Sequence, residues 1–164
     1  MIKQTEIENL LSIIPRGYPH MEVFHLANAV QGICEILGKL CEKQEYGYDL
    51  YIEGDANFEA ISTQYKSEKF DIKKHRYNKH AKQYDYLFIM IDLKAIEKPE
   101  LFYKKLYAII KNAGKVFFVV EESYDIRALE EQLIVCNYVA VNPIENTFTN
   151  LQILSAQKMH GWGN

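Results

Sequence analysis

Two carboxylates, Asp55 and Asp92, stand where an apolar run gives way to polar chain. Asp55 lies just past the run Tyr48–Glu53. From there each of its oxygens can accept one O–H bond from a pair of adjacent sugar hydroxyls. Glu53 is the other contender for that role, and Asp55 can also cap the following helix by accepting from the Phe58 N–H. Asp92 closes the run YDYLFIMIDL. It is a candidate proton acceptor, or a turn residue that bonds its own backbone. His20 and His25 sit five apart, which puts two helical side chains about 140° apart and suits no single metal; His75 and His80, also five apart, lie in a loop and lack the two further ligands zinc needs. No phosphate-binding Gly-Lys loop and no nucleophile triad is present.

Charge is unevenly spread. Residues 66–82 hold seven Lys/Arg against two acids, while the whole chain carries a net charge of −3. Within that stretch Lys73, Lys74, Arg76 and Lys79 alternate with His75, Tyr77 and His80, a pattern that can hold a phosphate group or a nucleic-acid backbone. A solvated sheet edge, where lysines discourage edge-to-edge pairing, is the plainer reading of the same residues. The net negative charge excludes a globally polycationic nucleic-acid binder.

The elements that position these residues follow from apolar periodicity. Leu10–Ile14 reads as a short first strand or as the end of a leading helix, and Pro15-Arg16-Gly17-Tyr18-Pro19 as a turn. Val23, Leu26, Ala27, Val30, Ile33, Cys34, Leu37, Leu40 and Cys41 then keep a 3/4 spacing, which predicts one long helix to about Lys43. It stacks Cys34 and Cys41 on one apolar face, as reduced core residues. Tyr48–Glu53 reads as a strand, followed by a short helix carrying Phe58 and Ile61, and Phe70–His75 as a weaker strand. Tyr84–Leu93 has the continuous apolar character of a parallel strand buried on both faces. Pro99–Ala113 reads as a helix with Gly114 as its left-handed cap, and Lys115–Val120 as a strand. Ile126–Cys136 is a helix stopped at Asn137, and Val139–Pro143 and Phe148–Gln157 form a closing hairpin.

This alternation predicts a three-layer, Rossmann-like α/β sandwich, with a mostly parallel sheet ending in an antiparallel β-hairpin. At 164 residues, 48% of them hydrophobic, the chain is the size of one domain spanning 1–164. The sequence shows no signal peptide and no membrane span, which with unpaired cysteines points to a cytoplasmic protein. Its aromatic-rich edges leave a homodimer open.

The order of elements, with YDYLFIMIDL, KLYAIIKNAGKVFFVVEES, ALEEQLIVCNYVAVNP and GDANFEAIS, resembles the class I S-adenosylmethionine-dependent methyltransferases. The resemblance implies S-adenosylmethionine as cofactor, with Glu53 or Asp55 on its ribose, Gly17 in the cofactor turn and Asp92 near the methyl acceptor, a small molecule or RNA. The family's Gly-rich first motif is absent: Ile13–Pro19 offers one glycine where two or three are usual. In a second register Tyr48–Glu53 becomes the first strand and Glu53-Gly54-Asp55 the degenerate turn. Two other functions stay in view: a cofactor-free binding or assembly protein on this fold, and a nucleotide- or RNA-binding domain using residues 66–82.

Overall fold

The computed structural model describes residues 19–29, 33–144 and 150–159, together with Thr5, Asn9 and Ser12. Seven strands form one sheet: β1 Glu22–Ala27, β2 Gly47–Glu53, β3 Glu68–Phe70, β4 Tyr84–Met90, β5 Ile110–Glu121, β6 Tyr138–Ile144 and β7 Leu151–Lys158. Their spatial order is β3-β2-β1-β4-β5-β7-β6. β1 to β5 run parallel, whereas β7 is antiparallel to both β5 and β6. The helices are α1 Ile33–Lys43, α2 Asp55–Ser62, α3 Pro99–Ile109 and α4 Ile126–Val135.

Two cores lie on opposite faces of the sheet. On one, Phe24, Leu26, Leu87, Ile89 and Phe118 pack with Phe102, Tyr103 and Leu106 of α3 and Leu129 and Leu133 of α4. On the other, Val23, Leu50, Ile52, Phe88 and Phe117 pack with Cys34, Leu37 and Cys41 of α1 and Ile61 of α2. The three layers and the closing hairpin are those the alternation of elements predicts.

The start of the chain differs from the reading above. Glu22–Ala27 is not the first part of a long helix but the central strand β1, paired on one side with β2 and on the other with β4. Five of its six residues are buried, because helices cover both faces of the sheet. A strand in that position has no polar face, so its apolar residues run on into those of α1 and imitate a helical period. The expected strand Leu10–Ile14 falls mostly outside the described residues; Ser12 within it is helical. The second register fails as well, since Gly47–Glu53 is the neighbour of the first strand rather than the first strand itself.

Two smaller corrections concern ends. α3 stops at Ile109, and Gly114 lies inside β5 instead of capping a helix. The left-handed residue nearby is Ala113, at φ 65°. Asn137 does take the left-handed conformation expected after α4, at φ 72°. The weak strand at 70–75 is displaced to Glu68–Phe70, leaving Asp71 and the residues after it in irregular chain.

Candidate active site

Strand order reverses between β1 and β4: the chain builds outward from β1 to β3, then returns to continue on the other side. Open α/β sheets bind ligands outside the carboxyl ends of the strands at such a switch point. Register brings those ends together. Ala27 lies beside Ile52 on one side and Met90 on the other, and Glu53 lies beside Phe70.

At this edge Glu53 ends β2, and Gly54 turns the chain into α2. Gly54 sits at φ 91°, and a Cβ there would come within 2.9 Å of the Asn57 amide nitrogen. The positive φ calls for glycine. The turn is fastened by two hydrogen bonds: Phe58 N–H donates to the Gly54 carbonyl (2.9 Å) and the Asn57 side-chain amide to the Glu53 carbonyl (3.0 Å). The Glu53 carboxylate has no donor among the described residues. Asp55 does not cap α2, because Gly54 occupies the cap position. Its carboxylate pairs instead with Lys69 at 2.8 Å, with side-chain exposures of 83% and 53%. A pair that open to solvent contributes little to stability.

A cavity of about 920 Å³ opens beside these residues. Glu53, Gly54 and Asp55 form one wall, Phe70, Asp71 and Ile72 the next, and Ile96, Lys98 and Phe102 the far side. Its floor is set by Tyr77, which is 4% exposed and packs 4.6 Å from Phe70 and 5.8 Å from Phe102, ring centre to ring centre. The Tyr77 hydroxyl donates to the Ile72 carbonyl (2.8 Å), which also accepts from Lys105 Nζ (3.3 Å). Asp71 accepts the Lys73 N–H at 2.9 Å and so shapes the loop leaving β3. Spacing did not single out Asp71. Its signal is the abrupt change from Phe70 to a polar run, the same change that marks Glu53 and Asp92 at the ends of their strands.

Asp92 is exposed and caps the 3-10 turn Leu93–Ala95, accepting the Lys94 N–H at 3.0 Å. This is the backbone-bonded turn weighed from sequence, and Asp92 does not line the cavity that holds Glu53 and Asp55. Gly17 lies outside the described residues. From the last residue of β1 toward α1 the sequence reads Ala27-Asn28-Ala29-Val30-Gln31-Gly32. Against the Rossmann pattern G-x-G-x-x-G, alanines stand at the first two glycine positions and glycine at the third.

His25 is completely buried on β1. Its Nδ1 is 2.7 Å from the Tyr48 hydroxyl and its Nε2 3.2 Å from the sulfur of Met90, the last residue of β4. A thioether can only accept, which makes Nε2 the protonated nitrogen and Nδ1 the acceptor from Tyr48. Burial pushes the imidazole down to about 3 and the Tyr48 phenol up. Sequence reading had His25 at the start of a helix, and its place inside the sheet went unseen. Among the described residues no three His, Cys, Asp or Glu side chains form a metal cluster, and no helix is long and apolar enough to cross a membrane.

The basic stretch divides. Lys69, Lys79 and Lys82 are taken up by Asp55, Glu68, and Asp49 with Glu22 respectively. Tyr77 is buried and offers no face on which a base could stack, contrary to the interleaved reading. Lys73, Lys74 and Arg76 remain exposed without an acidic partner among the described residues.

Solved structures share this architecture. The C-methyltransferase domain of the citrinin polyketide synthase superposes with a TM-score of 0.73 at 9% identity, covering 94% of this chain and 51% of that one. The fold is that of the class I S-adenosylmethionine-dependent methyltransferases. Human N-acetylserotonin methyltransferase, solved with S-adenosylmethionine, matches with a TM-score of 0.71 at 8% identity, over 95% of this chain and 52% of its own. A methyltransferase from Aquifex aeolicus matches with a TM-score of 0.69 at 13% identity, over 92% of this chain and 88% of its own. The chain therefore spans about half the length of the first two methyltransferases and most of the third. No family model and no curated protein sequence matches this chain. Likeness at these identities is a likeness of fold.

Proposed function

We propose that this chain binds S-adenosylmethionine at the carboxyl edge of its sheet and transfers the methyl group to a small-molecule or RNA acceptor. The observation that carries this reading is the unengaged Glu53 carboxylate on the wall of a 920 Å³ cavity at the ends of β2 and β3. Ligand pockets run to about 300–1,000 Å³, so the space suits an adenosyl group. Glu53 has two oxygens for the two ribose hydroxyls, with the Gly54 turn holding its backbone in place. Asp55, turned to Lys69, is the outer member of the pair. Phe70 and Ile72 give the cavity apolar surface against which a purine ring can lie.

When bound, the cofactor supplies a methyl group on a sulfonium, which an aligned nucleophile displaces. The protein's part is alignment and, for an acceptor that must lose a proton, a base. Asp92, exposed at the end of β4 with one oxygen on the Lys94 N–H, is the proposed base. The cytoplasm is the proposed compartment.

Isothermal titration with S-adenosylmethionine and its demethylated product tests the reading. Binding of either is expected, and Glu53→Gln is expected to weaken it about tenfold, as loss of a charged acceptor does. One observation favours a second reading, a binding protein without cofactor: the alanines at positions 27 and 29, where glycines let backbone approach a ligand most closely. Absence of heat with both ligands at millimolar concentration would establish that reading and end the first.

A further inference from the structure

We propose that the outer face of the β3 edge carries a second, separate site, which takes the phosphate group of a small phosphomonoester. A concavity of about 40 Å³ lies there, lined by Tyr51, Lys74, Arg76, Asn78 and Lys79 among others. One water needs about 10–15 Å³, so the space accommodates roughly three water-sized groups, the scale of one phosphate. It shares Lys69, Phe70, Asp71 and Tyr77 with the larger cavity, whereas Lys74, Arg76, Asn78 and Lys79 line it alone.

The charges on this lining sort themselves by pairing. Lys79 is bound to Glu68 at 2.6 Å and Lys69 to Asp55 at 2.8 Å. Asp71 faces the concavity too, with one oxygen on the Lys73 N–H. Lys74 and Arg76 have no acidic partner among the described residues. The planar guanidinium of Arg76 can give two parallel N–H bonds to a phosphate, and Lys74 adds a point charge.

The loop that presents them is well fastened. Tyr77, next after Arg76, is buried and donates to the Ile72 carbonyl, the Asn78 amide donates to the Lys82 carbonyl, and Lys82 Nζ lies 2.8 Å from Asp49. Such anchoring fixes the backbone that carries both cations, so that only their side chains have to be ordered at binding. A single phosphate is favoured over an RNA strand on two grounds. The concavity has room for about one such group, and Lys69 and Lys79 on its lining are already paired with acids.

The test needs no S-adenosylmethionine, so it stands or falls apart from the methyltransferase reading. Inorganic phosphate and glycerol 3-phosphate are titrated against the full chain at constant ionic strength. The readout is the NMR signals of the Arg76 side-chain N–H and the backbone of residues 73–79. Saturable shifts are expected with both probes, and Lys74→Gln with Arg76→Gln should weaken them at least about tenfold. Both positions are exposed, and an unchanged spectrum elsewhere verifies the fold of the variant. Shifts equal to those given by chloride, or unaltered affinity in the double variant, would overturn the proposal. A single-stranded RNA that binds here with a salt slope corresponding to several phosphates would replace it with a strand-binding face.

Discussion

His25 is kept neutral by a site that offers it one donor and one acceptor. Tyr48 supplies a proton to Nδ1 and Met90 sulfur receives one from Nε2, and full burial removes water as a substitute partner. Protonation would put hydrogens on both nitrogens in a place with no counter-charge. The folded state therefore resists protonation until about pH 3, while the unfolded chain takes up the proton near 6.5. Above pH 6.5 the two states bind the same number of protons at this residue and it imposes no pH dependence. As pH falls from 6.5 toward 3 the unfolded state gains a proton that the folded state refuses, and stability is lost at about 1.4 kcal/mol per pH unit. Urea unfolding between pH 7.5 and 5.0 should show this decline in the wild type. His25→Leu should be less stable at neutral pH, since Tyr48 loses its partner, but should lack the decline between pH 6.5 and 5.0. Equal slopes in the two proteins would show that another group is responsible.

At the scale of the element, β5 shows why a glycine read as a cap is doing something else. A Cβ on Gly114 would meet the Ile110 side chain at 2.7 Å, the Lys111 carbonyl at 2.8 Å and the Asp85 carbonyl at 3.0 Å. Two of these are backbone atoms that cannot swing aside. Gly114→Ala is thus expected to destabilise by about 1–3 kcal/mol. Ala113 holds the positive φ, so Ala113→Gly should leave stability within about 1 kcal/mol or raise it. Chemical denaturation of the two variants checks the contrast, and equal loss in both would contradict it. The same region explains how much was legible. Helices with one wet face, α3 and α4, announce themselves by period, and so does the hairpin at the end of the chain. β1 does not, because a strand between two helical layers lacks the alternation that distinguishes strand from helix, and its connection to α1 contains no proline and only Gly32. With β1 read as helix, the glycine turn is expected around Gly17, outside the described residues. Glu53 and Asp55 are legible as residues of a strand end because β2 ends sharply; Asp71 is not, because the alternation Phe70-Asp71-Ile72 carries a strand pattern past the end of β3.

For the whole molecule, the sheet sets two unlike ends side by side. The cavity belongs to β2, β3 and the start of α3, whereas β6 and β7 lie on the far side of β5. A ligand held by Glu53 can tie the segment 95–98 to the β2–α2 turn and the loop after β3, which adjoin where Glu53 pairs with Phe70. Binding to the folded state stabilises every element that must open for the ligand to leave, by about 2.7 kcal/mol at a hundredfold excess over Kd. Segments that open without releasing it gain nothing, since local opening is not uniform across a structure. Amide exchange with and without the demethylated cofactor should therefore slow at residues 53–58, 70–73 and 95–98. In β6, an edge strand with its own irregular register against β7, exchange should stay as it is. Protection confined instead to residues 73–79 would assign the ligand to the β3 edge, and uniform slowing would mean that exchange proceeds only through global unfolding. Unchanged exchange everywhere at saturating concentration would leave this cavity without the ligand its shape suggests.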